Sequence, residues 1–355
     1  MAESLLRIGM VGCGLIARLH AAAMHPIKSV RIDAILARSD AESFAEQIRR
    51  DHLGNPEMIQ TVDELCERVD CVAIYVANDA QLEIVRQVAA AKQRGARVRA
   101  LIIDKPLGRN LHEAEEICRL VEEAGLLSAY FENQIHMKSV AREREKLRAT
   151  MAAQGSPLIV RAAEEHSGPH KPWFWDPRRS GGGVLLDMGC HSIAVAWYLL
   201  TPLGKPLDFL QPIGVQCTTA LLKWGHSPWR EDLLQRMGVD YSKTPAEDYA
   251  SGTIEFLNPE TKQIVLAQFT NSWMYDKPGL RLSIECLGAG YGFDINVSPD
   301  ESDPYGYTEE NRDAVESFLA GRDALLNVQY GKRITELVMA CYLSADKKQR
   351  ISLVD

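Results

Sequence analysis

The run Leu5-Leu6-Arg7-Ile8-Gly9-Met10-Val11-Gly12-Cys13-Gly14-Leu15-Ile16-Ala17 is strand-like up to Gly12, turns there, and continues to Met24 with helical spacing. Strand, glycine turn and helix in the spacing G-x-G-x-x-A form a dinucleotide fingerprint. The first glycine makes the turn, the second lets a pyrophosphate approach the backbone, and the small third residue packs the helix on the strand. Gly12, Cys13, Gly14, Leu15 and Ile16 are therefore the residues expected against a dinucleotide.

The alternation continues outward. Val30 to Ala37, Cys71 to Val76, Val98 to Ile103 and Leu127 to Glu132 read as strands, and Ala41 to Arg50 and Ala80 to Arg94 as helices. Strands alternating with helices imply a doubly wound parallel sheet of the Rossmann type, with ligands at the carboxyl ends of the strands. After the second strand an NAD site usually places an acid on the ribose, but Ala37 stands here, followed by Arg38, Ser39 and Asp40. An arginine and a hydroxyl suit a phosphate, which favours NADP over NAD, although Asp40 can serve a ribose. After the fifth strand come Asp104, Lys105 and Pro106, where a lysine beside a carboxylate and a cofactor is tuned for acid/base work.

The chain of 355 residues has room for two cores, expected over 1–132 and 133–355. Its 40 basic and 48 acidic residues leave a net charge of -8, without the basic block that nucleic acid requires. The eight cysteines form no C-x-x-C pair, which points away from a zinc knuckle or disulfide framework and toward a reducing cytoplasm. Gly12 and Gly14 interrupt the apolar N-terminal run before Ala21-Ala22-Ala23, so it reads as strand and helix and not as a signal peptide. No uncharged apolar stretch reaches about 18 residues, and no membrane span is expected.

A second glycine turn, Ser180-Gly181-Gly182-Gly183, leads into an apolar run bearing Asp187 and His191, four residues apart and on one face of a helix. A carboxylate beside an imidazole at a glycine turn is an acid/base pair.

Together these motifs resemble the Gfo/Idh/MocA family of NAD(P)-dependent oxidoreductases over essentially the whole chain. Gly12, Gly14 and Ala17 match its G-x-G-x-x-[GA]; Lys105 and Pro106 match its Glu-Lys-Pro; Gly182, Gly183, Asp187, Gly189 and His191 match its glycine-rich lead into D-x-G-x-H-x-x-D. Asp104 replaces the usual glutamate, and Ala194 stands where the family has its second aspartate. Gly95 to Asp104 is longer than the usual link. Ala77-Asn78-Asp79-Ala80-Gln81 follows the family's P-N-x-x-H only loosely. The resemblance implies a C-terminal α+β domain on an open, mainly antiparallel sheet, used for self-association as a homodimer or homotetramer, with closing helices that can pack back on the first domain. It also implies that Asn78, Asp104, Lys105 and Asn133 lie against the cofactor.

In the second half, Ile135 to Ala153 reads as a charged helix with Arg142 to Lys146 as a solvated face. Strands are expected at Leu158 to Glu165, Val215 to Leu222, Ala250 to Phe256, Ile264 to Thr270, Arg281 to Leu287 and Gly292 to Val297, and helices at Glu309 to Ala320 and Ile334 to Ala345. The loop His166 to Pro177, with His170, Trp173 and Trp175, has the aromatic faces and polar groups a sugar ring needs, and Trp273 leaves a strand end toward the same chemistry. Without a third ligand at recognisable spacing, His166 and His170 are not read as a metal site. Trp224 to Tyr249 reads as an irregular lid or oligomer arm.

The expected activity is hydride transfer between NAD(P) and a secondary alcohol or ketone of a sugar, sugar derivative or polyol. In it His191 is the base, Asp187 its partner and Lys105 the cation at the developing alkoxide. Two rivals remain at this level: a redox-neutral, NAD-dependent glycosidase, whose extra acid His166, His170 or Asp176 would supply, and a non-catalytic cofactor-sensing regulator.

Overall fold

The computed structural model describes residues 5–277, 279–295, 303 and 305–354. They group into two compact units: the chain to His136 together with Gly306–Lys332, and Met137–Tyr305 together with Arg333 onward.

In the first unit β1 (Leu6–Val11), β2 (Val30–Leu36), β3 (Glu57–Met58), β4 (Cys71–Ile74), β5 (Ala100–Asp104) and β6 (Leu127–Phe131) form one parallel sheet in the order β3-β2-β1-β4-β5-β6. The connecting helices are α1 (Leu15–Ala23), α2 (Ala41–Arg50), α3 (Val62–Arg68), α4 (Asn78–Gln93) and α5 (Leu111–Glu123). β4 is buried at every residue, as a strand covered by helices on both faces must be, and so shows no polar alternation. The strand order reverses between β1 and β4, which opens a ligand crevice at their carboxyl ends.

The segment Gly306–Lys332 completes this unit. Ala314, Val315 and Phe318 share a core with Ile8, Met10, Ala17 and Phe131, and burial of each large apolar side chain there stabilises by about 1.5–3 kcal/mol. The Tyr130 N–H donates to the Leu326 carbonyl at 2.9 Å, and Asp323 accepts the Ser128 N–H at 2.7 Å. The boundary expected after residue 132 falls instead after His136, because β6 runs into a 3-10 turn, Asn133–His136, that packs on the helix of this segment.

The second unit begins with α6 (Lys138–Lys146) and α7 (Arg148–Gln154), which replace the single helix expected from Ile135 to Ala153. The fully buried Met137 takes a non-helical backbone between the 3-10 turn and α6, and Leu147 ends one helix as it starts the next. Arg144 is not solvated as expected: it turns inward onto Tyr198.

β7 (Ile159–Glu165), α8 (Pro177–Ser180), a π-helical turn Leu185–Gly189 and α9 (Cys190–Leu200) follow. Then come β8 (Gln211–Ala220), α10 (Trp229–Met237), β9 (Tyr249–Leu257), β10 (Ile264–Ser272), β11 (Arg281–Leu287) and β12 (Gly292–Ile295). The chain closes with α11 (Tyr307–Leu319), already placed in the first unit, α12 (Val328–Lys347), which passes to the second unit at Arg333, and β13 (Ile351–Ser352). The expected strand Gly292 to Val297 is present from Gly292 to Ile295; Asn296 and Val297 lie outside the described residues.

The sheet order is β12-β11-β7-β10-β9-β8-β13, antiparallel except where β7 meets β10. α9 packs on β7 and β10, and Tyr198 is its one residue that is not buried. The helical run Pro177–Leu200 is long and apolar enough to cross a membrane, but 89% of its most apolar window is buried inside the protein. A helix apolar all round suits a core as well as a bilayer.

Candidate active site

The two glycines of the first turn have different causes. Gly12 has φ 98°, and a Cβ there would overlap the Tyr75 carbonyl oxygen, so the backbone itself demands glycine. A Cβ on Gly14 would meet nothing within 4 Å. Gly14 precedes α1, whose start carries no side-chain cap and no acidic residue in its first turn. An uncapped helix start presents N–H groups and the positive end of its dipole. The missing Cβ leaves the approach to it open, so these residues fit a dinucleotide pyrophosphate.

The loop after β2 is tied to this turn. The Cys13 thiol donates to the Ser39 carbonyl at 2.8 Å, and Arg18 donates to the Cys13 carbonyl at 3.2 Å and to Gln47 Oε1 at 3.1 Å. Arg18 was not anticipated; within α1 it reads as an ordinary surface arginine. Arg38 and Ser39 are exposed at the end of β2, as a phosphate site requires.

After β5, Lys105 is half-buried and its peptide bond to Pro106 is cis. Gln81 of α4 is fully buried; its amide donates to the Asp104 carbonyl at 3.1 Å and its Oε1 accepts the Gly108 N–H at 3.0 Å. One side chain thus brackets the segment that carries Lys105. Gln81 occupies the position of the histidine in P-N-x-x-H, and the loose match hid its part. Asn78 is buried in the first turn of α4 and Asn133 opens the turn after β6, so every expected cofactor residue lies at or beyond the carboxyl end of a strand.

In the second unit Asp187 sits in the π turn and His191 in the first turn of α9, where the sequence spacing had implied a plain α-helix. The turn packs closely at Gly189: a Cβ there would stand 2.7 Å from Leu185 Cδ1 and 3.5 Å from Asn271 Oδ1 on β10. The Trp273 indole N–H donates to Asp187 Oδ2 at 3.2 Å, and His166 Nε2 lies 3.5 Å from the same oxygen. His166 Nδ1 accepts the Gly168 N–H at 2.9 Å, so the ring proton of neutral His166 sits on Nε2, facing Asp187.

The aromatic loop divides. Trp173 is half-exposed and stacks on Phe174 at 3.7 Å. Trp175 and Trp273 offer no open face. Trp175 is 1% exposed and Trp273 fully buried, and their rings pack 5.1 Å apart. The Trp175 indole donates to the Pro169 carbonyl at 3.0 Å. These two tryptophans build the wall behind Asp187 and do not stack on a sugar. His170 lies at the surface with its ring partly covered, and that partial desolvation, followed by the charge of Lys171, lowers its proton affinity. Asp176 caps α8 through the Arg178 N–H at 3.1 Å, and its bond to the Arg178 side chain lowers its carboxyl below the usual range.

The second glycine turn is closed by packing, not open to a ligand. A Cβ on Gly182 would overlap the Tyr342 hydroxyl, and one on Gly183 the backbone and carboxylate of Glu247. Glu247 and Tyr342 escaped sequence reading because one lies in the stretch taken as irregular and the other in a closing helix. That stretch, Trp224 to Tyr249, is not a loose lid: Trp224 and Tyr241 are buried, and the Asp248 carboxylate ties its start down by accepting the N–H groups of Leu222, Lys223 and Trp224.

Two family models match the chain. One, described as an oxidoreductase family with an NAD-binding Rossmann fold, covers residues 6–131; the other, the GFO/IDH/MocA C-terminal domain, covers residues 152–289. The myo-inositol 2-dehydrogenase of Thermotoga maritima is 26% identical over 198 residues, 55% of either chain. The D-glucoside 3-dehydrogenase of Escherichia coli is 24% identical over 264 residues, 73% of this chain and 69% of that one. The match to the Thermotoga relative thus spans about half its length. The crystal structure of GenD2 from gentamicin A biosynthesis, in complex with NAD, superposes with a TM-score of 0.78 at 21% identity, covering 99% of this chain and 97% of that one.

Proposed function

The chain belongs to the GFO/IDH/MocA oxidoreductase family, and from that premise we propose that it moves a hydride between NAD(P) and a ring secondary alcohol or ketone of a sugar or polyol. The relatives named for myo-inositol and D-glucoside support a ring polyol or glycoside as substrate. The nicotinamide, when bound, accepts or supplies the hydride. The protein's part is the proton: His191 takes it from the hydroxyl, Lys105 stabilises the alkoxide, and Asp187 holds the substrate and imidazole in register. The observation that carries this reading is the fixed carboxylate of Asp187, held on Oδ2 by the Trp273 indole one helical turn before His191. Retention of Lys105, Asp187 and His191 argues against a regulator without catalysis.

The glycosidase rival needs a second acid, and its three candidates are poorly suited. His166 has one ring nitrogen taken by Gly168 and the other facing Asp187, Asp176 is held ionised by Arg178, and the lowered proton affinity of His170 keeps it neutral near pH 7. Exposed Arg38 and Ser39 in place of an acid favour NADP over NAD. Arg38→Ala should weaken NADP by about 1–3 kcal/mol, the worth of a charge-assisted hydrogen bond, and leave NAD nearly unchanged. Calorimetry giving equal wild-type affinities for the two cofactors would rule the preference out.

Eight free thiols suit a reducing compartment such as the cytoplasm. The face of the second sheet lined by Arg161, Gln216, Thr253, Gln268 and Glu285 is where a second copy would pair, and light scattering reads whether it does. A screen of inositols, sugars and glycosides with NAD and NADP, read by absorbance of the reduced cofactor, tests the reading as a whole; no turnover of any of them would end it.

A further inference from the structure

A helix start leaves backbone N–H groups without intrahelical partners. At the turn leading to Asp187 and His191 the protein fills them itself. The Gly183 N–H donates to Glu247 Oε1 and Oε2 at 3.1 and 3.2 Å, the Val184 N–H to the Glu247 carbonyl at 3.0 Å, and the Leu185 N–H to Glu247 Oε1 at 3.0 Å. The Tyr342 hydroxyl donates to Glu247 Oε1 at 2.6 Å and accepts a share of the Gly183 N–H at 3.2 Å. At the far end of the same helix Arg144 donates to the carbonyls of Tyr198 at 2.6 Å and Thr201 at 3.1 Å. A carboxylate at the start and a guanidinium at the end complement the helix dipole and fix the helix along its axis.

The next residue extends the clamp. Asp248 accepts the N–H groups of Leu222, Lys223 and Trp224 at 2.6–2.7 Å, and its carbonyl takes the Trp273 N–H at 2.9 Å. Trp273 in turn holds Asp187 Oδ2. Glu247-Asp248 therefore fixes both the backbone that bears Asp187 and His191 and the donor that holds the Asp187 carboxylate.

We propose that Glu247, together with Tyr342, is a positioning residue for hydride transfer, setting the helix start that aims Asp187 and His191 at the substrate; this rests on the dehydrogenase reading above. The buried carboxyl touches no substrate in this role. Burial pushes its proton affinity up while the Tyr342 and backbone donors pull it down.

Three variants separate the roles of shape and acceptor. Glu247→Leu fills the space without an acceptor, Tyr342→Phe deletes one hydroxyl, and Glu247→Gln keeps Oε1, which takes three of the bonds. The expected result is a kcat lowered about ten- to a hundredfold in the Leu and Phe variants, the scale of a misaimed catalytic group. NAD(P) affinity should hold within about twofold, KM should move less than kcat, and the Gln variant should recover most of the loss. A second readout uses no substrate: the ring-carbon NMR titration of His191 should shift in the Leu and Phe variants and not in the Gln variant, with His20 of the other unit unmoved. Folded Leu and Phe variants with wild-type kcat and unmoved His191 signals would overturn the proposal. If wild-type protein turns over no sugar or polyol, the dehydrogenase reading fails, and the His191 titration alone decides on Glu247. If Glu247→Leu does not fold, Tyr342→Phe decides.

Discussion

Gly12 and Gly14 look alike in sequence and differ in cause, and that difference is testable. Gly12→Ala places a Cβ against the Tyr75 carbonyl at positive φ. It should destabilise the first unit by at least about 1–2 kcal/mol, the cost of a left-handed non-glycine residue before any clash. Gly14→Ala meets no neighbour; it should leave the melting temperature close to wild type and weaken NAD(P) binding about tenfold or more, about 1.4 kcal/mol. Calorimetry and thermal melts read both, and a Gly14 variant that binds cofactor normally would show that the open approach is not used.

His20 is a second residue whose part only packing reveals. It is 1% exposed between the rings of Tyr75 and Phe131, and burial lowers its pKa from 6.5 to about 3. Between those values the unfolded chain binds a proton that the folded chain refuses, so stability falls as pH drops from about 6.5 toward 3, by up to about 1.4 kcal/mol per pH unit. Denaturant melts of His20→Gln across that range should lose this slope, and an unchanged slope would assign the pH sensitivity to other groups. Sequence showed a histidine in α1 but not the rings on either side of it, which come from the residue after β4 and the last residue of β6.

At the scale of elements, period and punctuation made most of the chain legible. α2 and β11 fall where the pattern placed them, since each buries one face between clear breakers. What was hidden depends on distant partners. The π turn packs Gly189 closely against Leu185 and Asn271; Trp175 turns inward because Trp224, Tyr241 and Trp273 surround it; and Arg144 leaves the solvated face to cap α9. Gln81 belongs here as well, because its amide joins α4 to the segment between β5 and α5. Gln81→Leu should free that segment and lower kcat about tenfold while changing cofactor affinity much less, since Lys105 moves and the glycine turn does not. Steady-state kinetics beside cofactor titration read the split; equal loss in both would mean that Gln81 serves the cofactor site as a whole.

The whole molecule joins a unit built to hold a dinucleotide with a unit built around one apolar helix that bears an acid and an imidazole. Both were visible in sequence as motifs, because glycine turns and the Asp187-to-His191 spacing are local; the clamp behind them was not, because Glu247, Trp273 and Tyr342 converge from two separate loops and a helix. The central claim is that these units perform net hydride transfer, and it is tested most directly by following reduced cofactor and released aglycone together, with a free inositol or sugar and with an aryl glycoside. Net NAD(P)H should form in step with substrate oxidised, with no aglycone released, and both His191→Ala and Asp187→Asn should abolish it. Aglycone released at each turnover with no net change in reduced-cofactor absorbance would contradict the account and assign the site to redox-neutral glycoside cleavage.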